Sequence, residues 1–391
     1  QFPSRDYPHF RTFVNEPEVE QKIFTNYGNE LEPDIVVLQW PEKLPAMVAE
    51  VVTPDMLTDE VKKVVVDGGT ARVLPTGSLK TQAPYEIVKQ MRASVLAAGP
   101  LLARFGLVRV PIPGGCAIGL RPIDIHLKGF EAMGARRIAD EGDIIMSAPR
   151  LKAVTLRLRF PSVGATQSLM MAAAATPGRT IIKNAAKEPE IEDLGRFLQR
   201  LGAEVAGAGT ATVTVVGRSK LRGARHRVIC DRIEAGTYLL ACAAARGRVR
   251  LEGAEAEHLG AVIGALKKAG AAIRSGKGFI EISMERRPKA VSVVTKPYPG
   301  FPSDLQAPWM TLMTLCAGSA KITETVFENR FLHAAELGRM GAQIAVSGRT
   351  AVVAGVGRLS GAPIMASDIR AGAALLVAGL AAKGRTTISR V

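Results

Sequence analysis

Apolar residues recur along this chain in two rhythms, and their alternation organises the sequence. In PEIEDLGRFLQRLGAEV the apolar positions Ile191, Leu194, Leu198 and Leu201 fall at near-helical spacing with charged residues between them, which predicts an amphipathic helix. Gly202 follows, suited to the C′ position just past a helix end, where a left-handed backbone is favoured. Ahead of it, VGATQSLMMAAAA is small and apolar with no charged face, as expected of a helix packed on every side. GRTIIKNA and TATVTVVG read as strands, with Lys183-Asn184 inside the first of them.

The same order returns twice. AGTYLLACAAARGRVRLEGA, HLGAVIGALKKAGAAI and GFIEIS repeat it, and so do APWMTLMTLCAGSAKITET, RFLHAAELGRMGAQI and TAVVAG. The amphipathic helices end in MGA, LGA, AGA and MGA, whose glycines 134, 202, 270 and 341 are separated by 68, 68 and 71 residues. Regular self-similarity of this kind signals repeated structural units, each about βαβαβ. A fifth begins at DIRAGAALLVAGLAAKGRTTISRV and stops where its second helix is due. Residues 1–65, with QFPSRDYPHF and LQWPEKLP, match no other unit and read as a divergent or foreign segment.

Composition narrows the function classes. A chain of 391 residues has length for two or more domains, and 47% hydrophobic with 22% charged residues is globular. A net charge of +15 invites anionic partners. Its Lys and Arg are scattered rather than clustered, which favours small anions over nucleic acid. Cysteines 116, 230, 242 and 316 form no CxxC pair and no zinc-like cluster with histidine, so they read as reduced cytosolic thiols with no metal to hold. The five histidines are scattered, and His126 reads as a core or surface residue rather than a ligand. AGAALLVAGLAA, residues 371–382, is shorter than the ~20 residues a span requires, so no membrane association is expected. No signal-peptide pattern opens the sequence.

Common nucleotide motifs fail. GAGTAT lacks the third glycine of a dinucleotide fingerprint, and GAAIRSGKG has the wrong spacing for a phosphate loop and no Ser or Thr after its lysine. What remains is PIPGGCAIGLRPID, which sets Cys116 among glycines and prolines in a predicted loop. Acid and arginine clusters accompany it at unit boundaries: MRAS, RPID, CDRIEAGT, FPSDLQ, ENRF and SDIR. Cysteine in general usage is a small buried hydrophobe, a reading that the Gly-Gly-Cys context reverses. Arg330 and Arg370 read equally as surface ion-pair partners, and Asp304, after Pro302-Ser303, as a helix N-cap. Asp231 and Glu234 read as structural or domain-closing residues.

PGGCAIGLRPIDIHLKGFEAMGA resembles the active-site loop and following helix of the UDP-N-acetylglucosamine 1-carboxyvinyltransferases, a family of enolpyruvyl transferases. The resemblance extends through APYEIVKQMRASVLAAGPLLARFG, SVGAT, NAAKEPEIEDLGRFLQRLGAEV, DRIEAGT, FPSDLQA and ETVFENRF, over roughly residues 66–391. It implies an α/β (α+β) fold: a two-domain inside-out α/β barrel of βαβαββ units around helical cores. The domains would be residues 66–229, carrying the cysteine loop, and 230–391, truncated at its C-terminus. It further implies a monomeric cytoplasmic enzyme of peptidoglycan precursor synthesis that uses no cofactor. The substrates would be phosphoenolpyruvate and UDP-N-acetylglucosamine, with phosphate released.

The resemblance also distributes roles. Cys116 would be the general acid and the thiol alkylated by fosfomycin, and Asp304 the group that takes the proton of the sugar hydroxyl. Arg92, Arg121, Arg330 and Arg370 would grip phosphate and carboxylate, which their planar forks suit. Arg121, Pro122, Ile123, Asp124 and Ile125, with Ser162, Val163 and Val326, would hold the nucleotide sugar. The family's early Lys-Asn pair has no counterpart in EQKIFTNYGNEL, the lysine expected before SVGAT is Phe160, and an aromatic usual after MRAS is Leu96. These departures leave a catalytically impaired, nucleotide-sugar-binding homologue as the alternative reading.

Overall fold

The computed structural model describes residues 36–38, 64–67, 70–73, 92–111, 123–139 and 143–390, with side chains from residue 95 onward. The segment 1–65 lies outside the described residues apart from the strand Val36–Leu38 and the start of Val64–Asp67.

The repeat is clearest between residues 155 and 217. Strand Thr155–Arg157 leads into helix Val163–Ala174 and returns as Gly178–Lys183, parallel to the first strand. Helix Pro189–Leu201 follows, and strands Glu204–Ala206 and Thr212–Gly217 close the sheet antiparallel. The sheet order is Thr155–Arg157, Gly178–Lys183, Thr212–Gly217, Glu204–Ala206. Residues 293–354 repeat it: Val293–Val294, Ser319–Thr323, Thr350–Ala354 and Gln343–Ser347, with helices Gln306–Thr314 and His333–Arg339. Strands Leu107–Pro111, Asp143–Ser147 and Arg136–Ala139 form a three-stranded sheet in the order of the last three strands of that unit, and Arg248–Glu252, Phe279–Ser283 and Ala272–Gly276 lie in the same order. The fifth unit holds helix Ile369–Ala381 between two short parallel strand pairs.

The unit is therefore βαβαββ, one strand longer than the βαβαβ read from periodicity. The strand missed is the one after each marker glycine. It is an edge strand with mostly exposed positions, as in Ala272–Gly276 and Gln343–Ser347, so it lacks the in-out alternation that betrays a half-buried strand. The marker glycines themselves behave as expected. Gly134, Gly202, Gly270 and Gly341 have φ of 96°, 111°, 108° and 92°, conformations that side chains resist.

The two helix types occupy the places their faces dictate. Every residue of Gln306–Thr314 is buried, whereas Pro189–Leu201 buries Ile191, Gly195 and Leu198 and turns Glu192, Arg196 and Arg200 outward. Helices Arg232–Ala245, Gln306–Thr314 and Ile369–Ala381 pack on one another, and Ala98–Phe105 and Asp124–Ala132 pack on Val163–Ala174. A Cβ at Gly99 would stand 2.3 Å from the Ser168 carbonyl oxygen, so backbones approach where a side chain could not fit. Among the described residues no helix is long and apolar enough to cross a membrane.

Candidate functional site

The packed helices begin at polar residues, and those starts carry the candidate site. Ser162 caps helix Val163–Ala174, its hydroxyl accepting from the Ala165 amide at 3.3 Å. Asp231 accepts from the Ile233 and Glu234 amides at 2.7 and 3.1 Å, and Asp368 from Arg370 and Ala371 at 3.0 and 3.1 Å. Each satisfies amides a helix start leaves open. Asp304 does not share this role. It lies inside the 3-10 turn Ser303–Leu305, with Pro302 in the cap position.

Its carboxylate instead receives two arginines from distant segments. Arg330 Nη2 donates to Asp304 Oδ1 at 2.5 Å and Arg370 Nε to the same oxygen at 3.3 Å. Arg330 is only 5% exposed and stacks its guanidinium over the Phe327 ring at 4.9 Å, while the Asp304 side chain is 43% exposed. The bland reading of Arg330 as a surface ion-pair partner is thus overturned. A buried guanidinium needs a partner to offset lost hydration, and Asp304 supplies it from an accessible position. Among the described residues two guanidinium groups meet this one carboxylate, an arrangement attractive to a further anion. His333 lies buried at the start of helix His333–Arg339, and among the described residues its Nε2 finds no hydrogen-bond partner. Burial, and secondarily Arg330, press its pKa down to about 4 against the opposing pull of Asp368.

A second group forms around Asp124. Ile123 precedes helix Asp124–Ala132, and Arg159 grips Asp124 in a two-pronged pair at 3.0 and 2.9 Å. That hydrogen bond holds the Asp124 carboxyl below its usual range. Arg159 stands three residues before Ser162, and a Cβ on Gly164 would stand 3.0 Å from His126 Nε2. The helix starts at Asp124 and Val163 are therefore neighbours, which brings Ile123, Asp124 and Ile125 alongside Ser162 and Val163. Of the two placements its sequence allowed, core and surface, His126 takes the core.

Other expected site residues are placed less fully. Cys116, Arg121 and Pro122 lie outside the described residues, and Arg92 opens the 3-10 helix Arg92–Ala97 with its side chain outside them. Lys183-Asn184, expected within a strand, straddles its end: Lys183 is the last strand residue, and Asn184 follows at φ 54° and donates to the Leu158 carbonyl at 2.9 Å. Burial and the neighbouring Asp231 raise the Glu234 pKa to about 7. Sequence reading missed Arg159, His333 and Glu324, whose carboxylate receives the Val326 amide at 2.7 Å. No residue-type motif gives any of them a role; only the fold brings them to the site. Cys230, Cys242 and Cys316 are free thiols.

Repeated βαβαββ units around packed helices are the architecture of an enolpyruvyl transferase. Residues 57–391 match the family model EPSP synthase (3-phosphoshikimate 1-carboxyvinyltransferase), and the chain belongs to this family of transferases. Among curated relatives, the UDP-N-acetylglucosamine 1-carboxyvinyltransferase of Endomicrobium trichonymphae is 50% identical over 84% of this chain and 79% of its own length. That of Gluconacetobacter diazotrophicus is 50% identical over 83% and 77%. Among solved structures, the enolpyruvyl transferase NikO from Streptomyces tendae superposes with a TM-score of 0.71 at 26% identity, covering 80% of this chain and 74% of that one. An EPSP synthase from Acinetobacter baumannii shares the fold, with a TM-score of 0.56 at 20% identity.

Proposed function

We propose that this chain transfers the enolpyruvyl group of phosphoenolpyruvate to the 3′-hydroxyl of UDP-N-acetylglucosamine, releasing phosphate. The observation that carries the reading is Asp304 held between Arg330 and Arg370 in a chain half-identical to enzymes of that name. Cys116 delivers a proton to C3 of phosphoenolpyruvate while the sugar oxygen bonds C2 and yields its proton to Asp304. The tetrahedral adduct then returns a C3 proton to the Cys116 thiolate as its C2–O bond to phosphate breaks, Asp304 passing its proton to the departing phosphate, and the double bond is restored as an enol ether. Arg92, Arg121, Arg330 and Arg370 balance phosphate and carboxylate charge, a contribution realised as charge develops. Arg121 to Ile125, with Ser162, Val163 and Val326, hold the nucleotide sugar, with Arg159 keeping the Asp124 carboxylate ionised and aimed.

The chemistry is assigned to a monomeric cytoplasmic protein with domains 66–229 and 230–391 that work in peptidoglycan precursor synthesis. The thiolate is the reactive form of a cysteine, and the resemblance gives that role to Cys116. Fosfomycin added with UDP-N-acetylglucosamine is therefore expected to alkylate Cys116 in preference to Cys230, Cys242 and Cys316. Burial raises the pKa values of those three, to about 12 for the first two. Peptide mass spectrometry reads the outcome, and an unlabelled Cys116 would remove the thiol from the mechanism.

A further inference from the structure

We propose that Glu324 is a positioning residue for the transfer reaction, a buried anion that sets the relative placement of Asp304 and Arg330. The claim rests on the functional reading above and goes beyond it by naming what holds the acid and its arginine in register. Glu324 is 1% exposed at the end of strand Ser319–Thr323. Its Oε1 accepts from the Thr295 hydroxyl at 2.9 Å and from the Val326 and Phe327 amides at 2.7 and 3.1 Å. Its Oε2 accepts from the Ser303 hydroxyl at 2.8 Å. All four donors are neutral, and a buried carboxylate is tolerable only when its lone pairs are filled in this way.

Those four bonds join three segments. Ser303 is the residue before Asp304. Val326 and Phe327 open the loop that delivers Arg330, and Phe327 is the ring on which that guanidinium rests. Thr295 ties both to the strand end, since its hydroxyl also accepts from the Thr325 amide at 2.9 Å and its amide donates to the Thr323 carbonyl at 2.9 Å. A misplacement of an ångström between reacting groups costs heavily in rate, and among the described residues Glu324 bonds both the acid's turn and the start of the arginine's loop. Its charge matters as well as its reach, because hydrogen bonds to an ionised acceptor are the stronger kind.

The test replaces the hydroxyl arm rather than the anion, which keeps the fold safer. Ser303→Ala is expected to lower kcat at least tenfold with the KM for phosphoenolpyruvate within twofold, and Ser303→Thr, which keeps the hydroxyl, to restore kcat. Thr176→Val is the matched control. It deletes a buried hydroxyl that donates at 2.8 Å to Ala172 away from the site, so it should lower thermal stability comparably and leave kcat unchanged. Equal kcat in Ser303→Ala and the unsubstituted protein would overturn the proposal. Equal kcat losses in Ser303→Ala and Thr176→Val would overturn it too, since the effect would then be one of stability alone. If the unsubstituted protein releases no phosphate, the functional reading fails instead, and amide hydrogen exchange still judges the strap. Glu324→Gln is expected to speed exchange at Val326 and Phe327 by tenfold or more, and unchanged exchange there would overturn it.

Discussion

Among single residues, Asp304 and the arginines that hold it bear most on activity. Asp304→Asn keeps the size and the acceptor oxygen but cannot take a proton. Loss of a general base typically costs 10²–10⁴-fold, so kcat is expected to fall by at least about 100-fold, read by steady-state phosphate release. The neutral amide also faces a buried guanidinium, so a loss on the order of 1–3 kcal/mol in denaturant unfolding is expected as well. His333 gives an independent check. Burial keeps its imidazole neutral with a pKa near 4 in the fold, against an ordinary value of about 6.5 in the unfolded chain. As pH falls below 6.5 the unfolded chain binds the proton first, so stability drops progressively between about 6.5 and 4. His333→Gln is expected to flatten that part of the profile, and denaturation midpoints at pH 7 and pH 5 compare the two proteins. An equally steep loss in the variant would assign the drop to other groups.

At the scale of elements, the repeat was legible because each unit needs the same two kinds of helix and the same stop. Ile191, Leu194, Leu198 and Leu201 announce one face, and Gly202 announces the end. The prediction there is simple. Nothing lies within 4 Å of a Cβ built on Gly202, so Gly202→Ala is penalised by its backbone alone, about 1–2 kcal/mol, with activity unchanged. Gly99→Ala, by contrast, drives a methyl into the Ser168 carbonyl at 2.3 Å, and should cost at least as much and broaden the near-UV spectrum of the helical core. Thermal melts of both variants decide, and equal melting temperatures to the unsubstituted protein would contradict the packing described. Edge strands such as Ala272–Gly276 escaped sequence reading because their mostly exposed positions leave no alternation to see. The same limit explains the candidate site. FPSDLQ and ENRF marked Asp304 and Arg330 individually, but a separation of 26 residues, or 66 to Arg370, becomes a contact only through the stacking of units. Arg159 carries no local signature, and Glu324, although it opens ETVFENRF, gains a role only from its bonds.

At the scale of the whole molecule, helix starts from successive units supply the polar residues. Ser162, Asp231 and Asp368 cap homologous helices, while the fourth start diverts its acid, Asp304, to Arg330 and Arg370. One repeated construction thus yields both scaffold and site, and the surplus of positive charge, +15 over the chain, suits substrates that carry phosphate and carboxylate. Transfer of an enolpyruvyl group from phosphoenolpyruvate to the nucleotide sugar leaves a mass signature that a single incubation can read. The protein is incubated with phosphoenolpyruvate and UDP-N-acetylglucosamine, together and singly, and the nucleotide sugar is weighed by mass spectrometry as free phosphate is counted. The account predicts a nucleotide sugar heavier by one enolpyruvyl group, formed mole for mole with phosphate and only when both substrates are present. Unmodified nucleotide sugar with no phosphate released, from folded protein that still binds it, would contradict the account.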